Sequence, residues 1–319
     1  MPGRRLPCYA GSMSSRPQPS YRKLHEVGEL VRRAERARQH ERSCDLCGRY
    51  CRADRGTDRL GACRTGLLAR VASYGPHHGE EDPLRGWRGS GTIFFSWCNL
   101  RCQYCQNHDI SQAASGGEVT SSRLAEIMLR LQTCGCHNIN LVSPSHVVAE
   151  ILEALAVACD GGLDIPLVYN TGGFDSPEAL SLLDGVIDIY MPDMKYSRPD
   201  IARRLSKIGR YPGINRAAVL EMHRQVGDLV ISDDGLAVRG LLVRHLVLPG
   251  GLAGTREIVR FLSQEVSPHT YLNLMDQYRP AFHAADLPLL DRPTTPGEFE
   301  AAVKLARTAG LTRLDGIPA

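Results

Sequence analysis

From about Gly91 onward, short β-forming runs alternate with helical patterns, and this alternation constrains the fold more than any other feature. The strand runs are TIFFSW (92–97), NINLV (138–142), IPLVYN (165–170), GVIDIYM (185–191), LLVRHLVL (241–248) and TYLNLM (270–275). Helical patterns stand between or after them at 122–134, 146–159, 215–227, 255–266 and 295–310. The last has Pro296 in its first turn and Gly310 at its end, matching helix start and stop signals. Such alternation builds a parallel sheet covered by helices, an α/β fold. Six units are too few for a closed eight-stranded barrel, so an open, partial (β/α)6 barrel is expected. Chemistry in such folds sits at the C-terminal ends of the strands.

The 319 residues, 43% of them hydrophobic, can bury a large core. No apolar run approaches the length needed to span a bilayer, so no membrane role is expected. Residues 1–22 form a Pro/Ser/Arg-rich stretch without periodicity and read as a disordered tail, or as reflecting a mis-assigned start with Met13 as the true one. The stretch lacks the apolar segment of a secretory signal, although its composition also suits an organelle transit peptide. Residues 23–90 read as a helix followed by a small Cys-rich metal-binding module, and 91–319 as the barrel. Residues 1–70 carry 16 Lys/Arg against 7 Asp/Glu, while the remainder is net acidic. A basic N-terminal region suits an acidic partner or RNA. The plainer reading takes LVRRAERARQHER (30–42) as the solvated side of an amphipathic helix.

Seven of the eleven cysteines fall in two groups, a pattern of metal ligation in a reducing compartment, with the cytosol as default. In CNLRCQYCQN (98–107), Cys98, Cys102 and Cys105 are spaced C-x3-C-x2-C with no fourth cysteine nearby. A structural zinc wants four protein ligands. Three thiolates on one loop can instead hold three irons of a [4Fe–4S] cluster, leaving the fourth iron open to an outside ligand.

This spacing, with Tyr104 just before the third cysteine, resembles the signature of the radical S-adenosylmethionine (SAM) superfamily. CQYCQNHD is similar to the corresponding segment of glycyl-radical-enzyme activases of the pyruvate formate-lyase activating type. The resemblance runs over 91–290 and implies a radical SAM partial barrel, a [4Fe–4S] cluster and SAM. YNTGGF (169–174) and YMPDMK (190–195) resemble two further family segments. By that match Asn170, Thr171, Asp193 and the Met191 carbonyl would form a monovalent-cation site beside SAM. Lys195 and Arg244 would bind the SAM carboxylate, and Val247 would pack on the adenine. Where the family has G-G-E, this chain has NLVSPSH (140–146), without an acid. Carbonyls around Ser143, Pro144 and Ser145 would take the SAM ammonium.

Cys44, Cys47, Cys51 and Cys63, spaced C-x2-C-x3-C-x11-C, suit a closed second site. Zinc and a second iron–sulfur cluster both fit; zinc is narrowly favoured because four thiolates suit a tetrahedral structural ion. A structural staple is the plain reading, and electron relay or partner docking the sharper one. The resemblance implies an oxidoreductase that takes electrons from a donor such as flavodoxin or ferredoxin and abstracts a hydrogen from a protein glycyl residue. Other targets are a different peptide, a tRNA or a small metabolite, nucleic acid being disfavoured because the basic region lacks interleaved aromatics. A reading of another class is a non-catalytic metal sensor or docking protein.

Overall fold

The apolar runs pair side by side because strands buried on both faces can satisfy their backbone only in the middle of a sheet. The computed structural model describes residues 17–57, 60–113 and 115–318. Among these, nine strands form one sheet: β1 (Ala69–His77), β2 (Ser90–Phe95), β3 (Gly117–Val119), β4 (Ile139–Val142), β5 (Leu167–Thr171), β6 (Ile189–Pro192), β7 (Val230–Ile231), β8 (Ala237–Leu246) and β9 (Tyr271–Met275). β2, β4, β5, β6, β8 and β9 pair in that order and run parallel, which makes the sheet mostly parallel and open. The six parallel strands are the six runs read from the sequence. The register sets Phe94 opposite Val142, Val142 opposite Asn170, and Asn170 opposite Met191. The loops that leave these strands therefore gather at one rim.

Helices connect them. Thr120 accepts from the Arg123 N–H at the start of Ser121–Thr133, and Ser176 from the Ala179 N–H before Pro177–Leu183. Each cap satisfies an otherwise orphaned donor. The helix Pro296–Thr308 opens with a capping box between Thr295 and Glu298, at the Pro-marked position the sequence indicates. No helix among the described residues is long and apolar enough to cross a membrane.

β1 lies in the segment 23–90, where the sequence pattern predicts a helix and a Cys-rich module but no strand. It runs antiparallel to β2, with an irregularity between Val71 and Ser73, and Pro76 opposite Gly91. β3 covers only Ala69–Val71 on its other side, leaving Pro76 on an edge where no N–H is missed. Bulge and proline together hide the strand's alternation.

The N-terminal region lies against the same core. Helix Glu29–His40 turns Leu30, Ala34 and Ala37 inward and Arg32 and Arg36 outward, while Arg33 is half-buried and donates to the Leu182 carbonyl at 3.1 Å, so the basic face is only partly solvated. Tyr21 is fully buried and donates to the Ile165 carbonyl at 2.9 Å, while the Ser20 N–H reaches the Asp188 carboxylate at 2.7 Å. Arg38 binds both Glu153 oxygens at 2.6 and 2.5 Å. Ordered contacts thus begin within the last residues of the stretch read as a tail; its residues 1–16 lie outside the described residues.

Candidate functional site

β2 ends at Phe95, and the chain turns at once into the cysteine loop. Trp97 makes the turn with φ 68°, a left-handed conformation costly for a bulky residue, held by its N–H on the Ile110 carbonyl at 3.1 Å. Cys98, Cys102 and Cys105 then line one cavity of about 420 Å³, a size suited to a cofactor. Each sulfur has its own polar neighbour. The Leu100 N–H donates to Cys98 Sγ at 3.4 Å, Ser206 Oγ lies 3.0 Å from Cys102 Sγ, and Ser111 Oγ lies 3.2 Å from Cys105 Sγ. Behind Cys102 a hydroxyl chain continues: Ser206 to Tyr196 at 2.7 Å, and Tyr196 donating to Tyr104 at 2.7 Å.

The same cavity is lined by Tyr104, Ser143, Asn170, Thr171, Asp193, Lys195 and Arg244. Residues from five parallel strands or their loops thus meet the three thiols. Ser143 ends β4 in the left-handed region, φ 59°, with its N–H on the Asn170 carbonyl at 2.8 Å. Lys195 Nζ pairs with Asp193 Oδ2 at 2.5 Å. Burial alone would pull Lys195 down; the anionic character of Asp193, Cys102 and Tyr104 overcomes it and holds the ammonium well above its ordinary range.

Three sequence-derived positions fall elsewhere. Val247 does not line the cavity: it is buried in the main core, its N–H is on Met275 O at 3.0 Å and its carbonyl takes the Thr294 hydroxyl at 2.7 Å. Its neighbour Leu246 lines the cavity instead. Pro144 and Ser145 are buried behind Ser143. The Thr171 hydroxyl is already saturated: it donates to Asp175 Oδ2 at 2.7 Å, takes the Gly173 N–H at 3.1 Å, and has Ser145 Oγ 2.9 Å away. Asn170 and Asp193 are therefore the side chains better placed to serve a cation.

Sequence reading also missed residues. Glu80 lines the cavity, and Glu81 lies 3.2 Å from Arg244 Nε. Glu81 also takes the Asn273 side-chain N–H at 2.7 Å, joining the loop after β1 to β9. Burial raises the Glu80 carboxyl, Arg244 opposes this, and Glu81 adds to it. Nothing in GEEDP marks these acids as inward-facing until β1 is known to run beside β2. Asp175, buried, also accepts from the Tyr169 hydroxyl at 3.0 Å and anchors the loop after β5.

In the second thiol group Cys44, Cys47 and Cys63 are buried and Cys51 is exposed. Arg55 Nη2 donates to Cys44 Sγ at 3.2 Å. A Cβ at Gly61 would stand 2.7 Å from Cys51 Sγ, so glycine permits that close approach. Among the described residues no three Cys, His, Asp or Glu side chains stand at metal-bonding geometry, so each group is a close set of thiols and not a formed ligand shell. Cys136 and Cys159 are buried, as small apolar residues would be, while Cys134 is exposed; Cys8 lies outside the described residues.

Three thiols and two cations on one cavity fit an iron–sulfur cluster with SAM. A family model described as "Radical SAM superfamily" matches residues 92–262. Over 289 residues the chain is 30% identical to "Uncharacterized protein MJ0674" of Methanocaldococcus jannaschii, a match that spans 88% of this chain and 78% of that protein. The matched segment holds the cysteine triad, Asn170, Lys195 and Arg244 together. The chain belongs to the radical SAM superfamily, whose chemistry uses a [4Fe–4S] cluster, SAM and a reductant.

Proposed function

We propose that this chain is a radical SAM enzyme that abstracts a hydrogen atom from a glycyl residue of a protein substrate, at the cavity lined by Cys98, Cys102 and Cys105. The observation that carries the cofactor part is the joint lining of that cavity by the three thiols with Asn170, Asp193, Lys195 and Arg244. When bound, the cluster supplies the electron that splits SAM into methionine and a hydrogen-abstracting 5′-deoxyadenosyl radical.

The protein's part is positioning and exclusion. Lys195 and Arg244 face the SAM carboxylate as charge-assisted donors. Asp193 and Asn170, with the Met191 carbonyl, hold the monovalent cation, the Thr171 hydroxyl being taken by Asp175, Gly173 and Ser145. Ser143, the member of the Ser143–Pro144–Ser145 turn that lines the cavity, serves the SAM ammonium, while the Pro144 carbonyl is given to the Val147 N–H. Leu246, in place of Val247, packs on the adenine. Leu100, Leu246 and Met275 supply apolar lining that keeps water from the reacting atoms. Cys44, Cys47, Cys51 and Cys63 hold a second metal group. A one-electron carrier of the flavodoxin or ferredoxin kind is the donor.

The glycyl target rests on the resemblance of CQYCQNHD to the activases. Incubation with SAM, reductant and a glycyl-radical enzyme from the same genome tests it by electron paramagnetic resonance (EPR). The expected result is a protein radical doublet. Formation of 5′-deoxyadenosine with no doublet on any such partner would overturn the glycyl target and leave the SAM chemistry standing.

A further inference from the structure

Cys44, Cys47, Cys51 and Cys63 lie outside the cavity, yet the residues beside them are tied to the triad loop one by one. Arg49, two residues past Cys47, donates through Nε to the carbonyl of Asn99, the residue after Cys98, at 2.7 Å. Arg101, just before Cys102, donates through Nη2 to the carbonyl of Ala62, just before Cys63. The guanidinium of Arg64, just after Cys63, sits 5.1 Å from the ring centre of Trp97, just before Cys98. The Gly48 N–H and the Asn99 side-chain N–H converge on the Phe174 carbonyl at 3.0 and 2.9 Å. A Cβ at Gly48 would meet Ile214 at 2.9 Å, so glycine lets this contact close.

A structural ion can brace a fold from anywhere on it. Contacts that begin next to one thiol set and end next to the other are instead what two neighbouring redox centres need. The spacing agrees. Structural zinc sites favour two paired knuckles, whereas three closely spaced cysteines followed by a distant fourth is an order found in cysteine-ligated clusters.

We propose that Cys44, Cys47, Cys51 and Cys63 bind a second, fully cysteine-ligated [4Fe–4S] cluster, which accepts one electron from an acidic low-potential carrier and passes it to the Cys98–Cys102–Cys105 centre. No bond is made or broken at the second cluster: one electron enters and one leaves. Cys51 is the exposed thiol of the set and marks the entry side. The exposed Arg52 adjoins it, paired with Asp45 at 2.7 Å, and residues 1–70 carry the chain's excess of basic residues, which suits an acidic donor. The relay role rests on the SAM-cleaving reading; the existence of the cluster does not.

The test is anaerobic reconstitution of the full chain, with iron, sulfide and zinc analysis and EPR of the reduced protein. The wild type is expected to hold about eight irons and no stoichiometric zinc, with a reduced spectrum broadened by two interacting spins. The triple variant Cys98→Ala, Cys102→Ala, Cys105→Ala is expected to keep about four irons and a single reducible signal. One zinc per chain, or a folded triple variant without iron, would overturn the proposal. Should the triple variant not fold, the wild type decides: about four irons with an unbroadened signal overturns it equally. Two interacting clusters in a protein that cleaves no SAM would uphold the second cluster and refute the SAM reading.

Discussion

Leu246 and Val247 are neighbours in the chain and serve opposite faces of the strand they end. Side chains alternate along a strand, so if Arg244 faces the cavity, Leu246 does as well and Val247 faces the core. Replacing Leu246 by Ala is expected to weaken SAM binding about tenfold, a loss of roughly 1.4 kcal/mol. Val247→Ala should instead cost about 2 kcal/mol of stability by opening a core cavity. Anaerobic equilibrium dialysis and urea unfolding separate the two, and the reverse pattern would return Val247 to the site. Ser206 makes a second residue-scale case. As a ligand thiolate Cys102 Sγ can only accept, so the Ser206 hydroxyl 3.0 Å away would turn its proton from Tyr196 to the sulfur, and such a donor favours the more negative, reduced cluster. Ser206→Ala is expected to lower the triad cluster's reduction potential, measured by EPR-monitored titration. An unchanged or higher potential would show that the hydroxyl does not donate to that sulfur.

At the scale of elements, the six parallel strands were legible because each is an apolar run bounded by helical pattern, and their pairing follows from burial on both faces. β1 was not, since Gly75, Pro76 and the irregularity at Val71 break its alternation. With β1 went Glu80 and Glu81, whose approach to Arg244 is a consequence of tertiary pairing and has no local signature. The cysteine triad was legible because a single loop carries all three residues. Ser206 and Tyr196 come to Cys102 from another part of the chain and were invisible to spacing. The N-terminal helices show a similar dependence on distant partners. The Arg55 side chain, only 2% exposed, meets Glu41 at 3.4 Å and the His146 carbonyl at 2.6 Å, fastening the Cys44 segment to the turn after β4. Arg55→Ala would leave the His146 carbonyl unpaired and Glu41 and Glu150 with Arg38 alone, and should cost about 1–3 kcal/mol. A change under about 1 kcal/mol in urea unfolding would mean that these acids find other compensation.

For the whole molecule, buried titratable groups set the pH range of stability. Burial pushes His146 and His245 down to about 4, and one N–H of each neutral ring has a carbonyl to donate to: His146 Nε2 lies 2.9 Å from the Ser96 carbonyl, His245 Nδ1 2.6 Å from the Met194 carbonyl. Their folded values lie below the unfolded value of about 6.5, so their contribution is complete above pH ~6.5 and lost as pH falls toward 4. Burial first, and repulsion by Glu41 second, raise Glu150 to about 8. A raised carboxyl acts oppositely: its contribution is complete below the unfolded value of about 4.5 and is lost as pH rises through 8. Glu80, Asp175 and Asp188, which burial also raises, act in the same sense as Glu150, and the histidines no longer oppose them above their range, so thermal stability is expected to fall as pH rises from ~6.5 to ~8. Melting curves from pH 4.5 to 8.5 check this, and Glu150→Gln should flatten the alkaline limb; a rise in stability from pH 7 to 8.5 would contradict it. The central claim is that the triad cavity cleaves SAM, and the most direct measurement is anaerobic. The protein is reconstituted with iron and sulfide, reductant and SAM are added, and 5′-deoxyadenosine is quantified beside the Cys102→Ala variant. Product in the wild type alone is the predicted result; equal product from both, or none from a wild type with a verified reducible cluster, would contradict it.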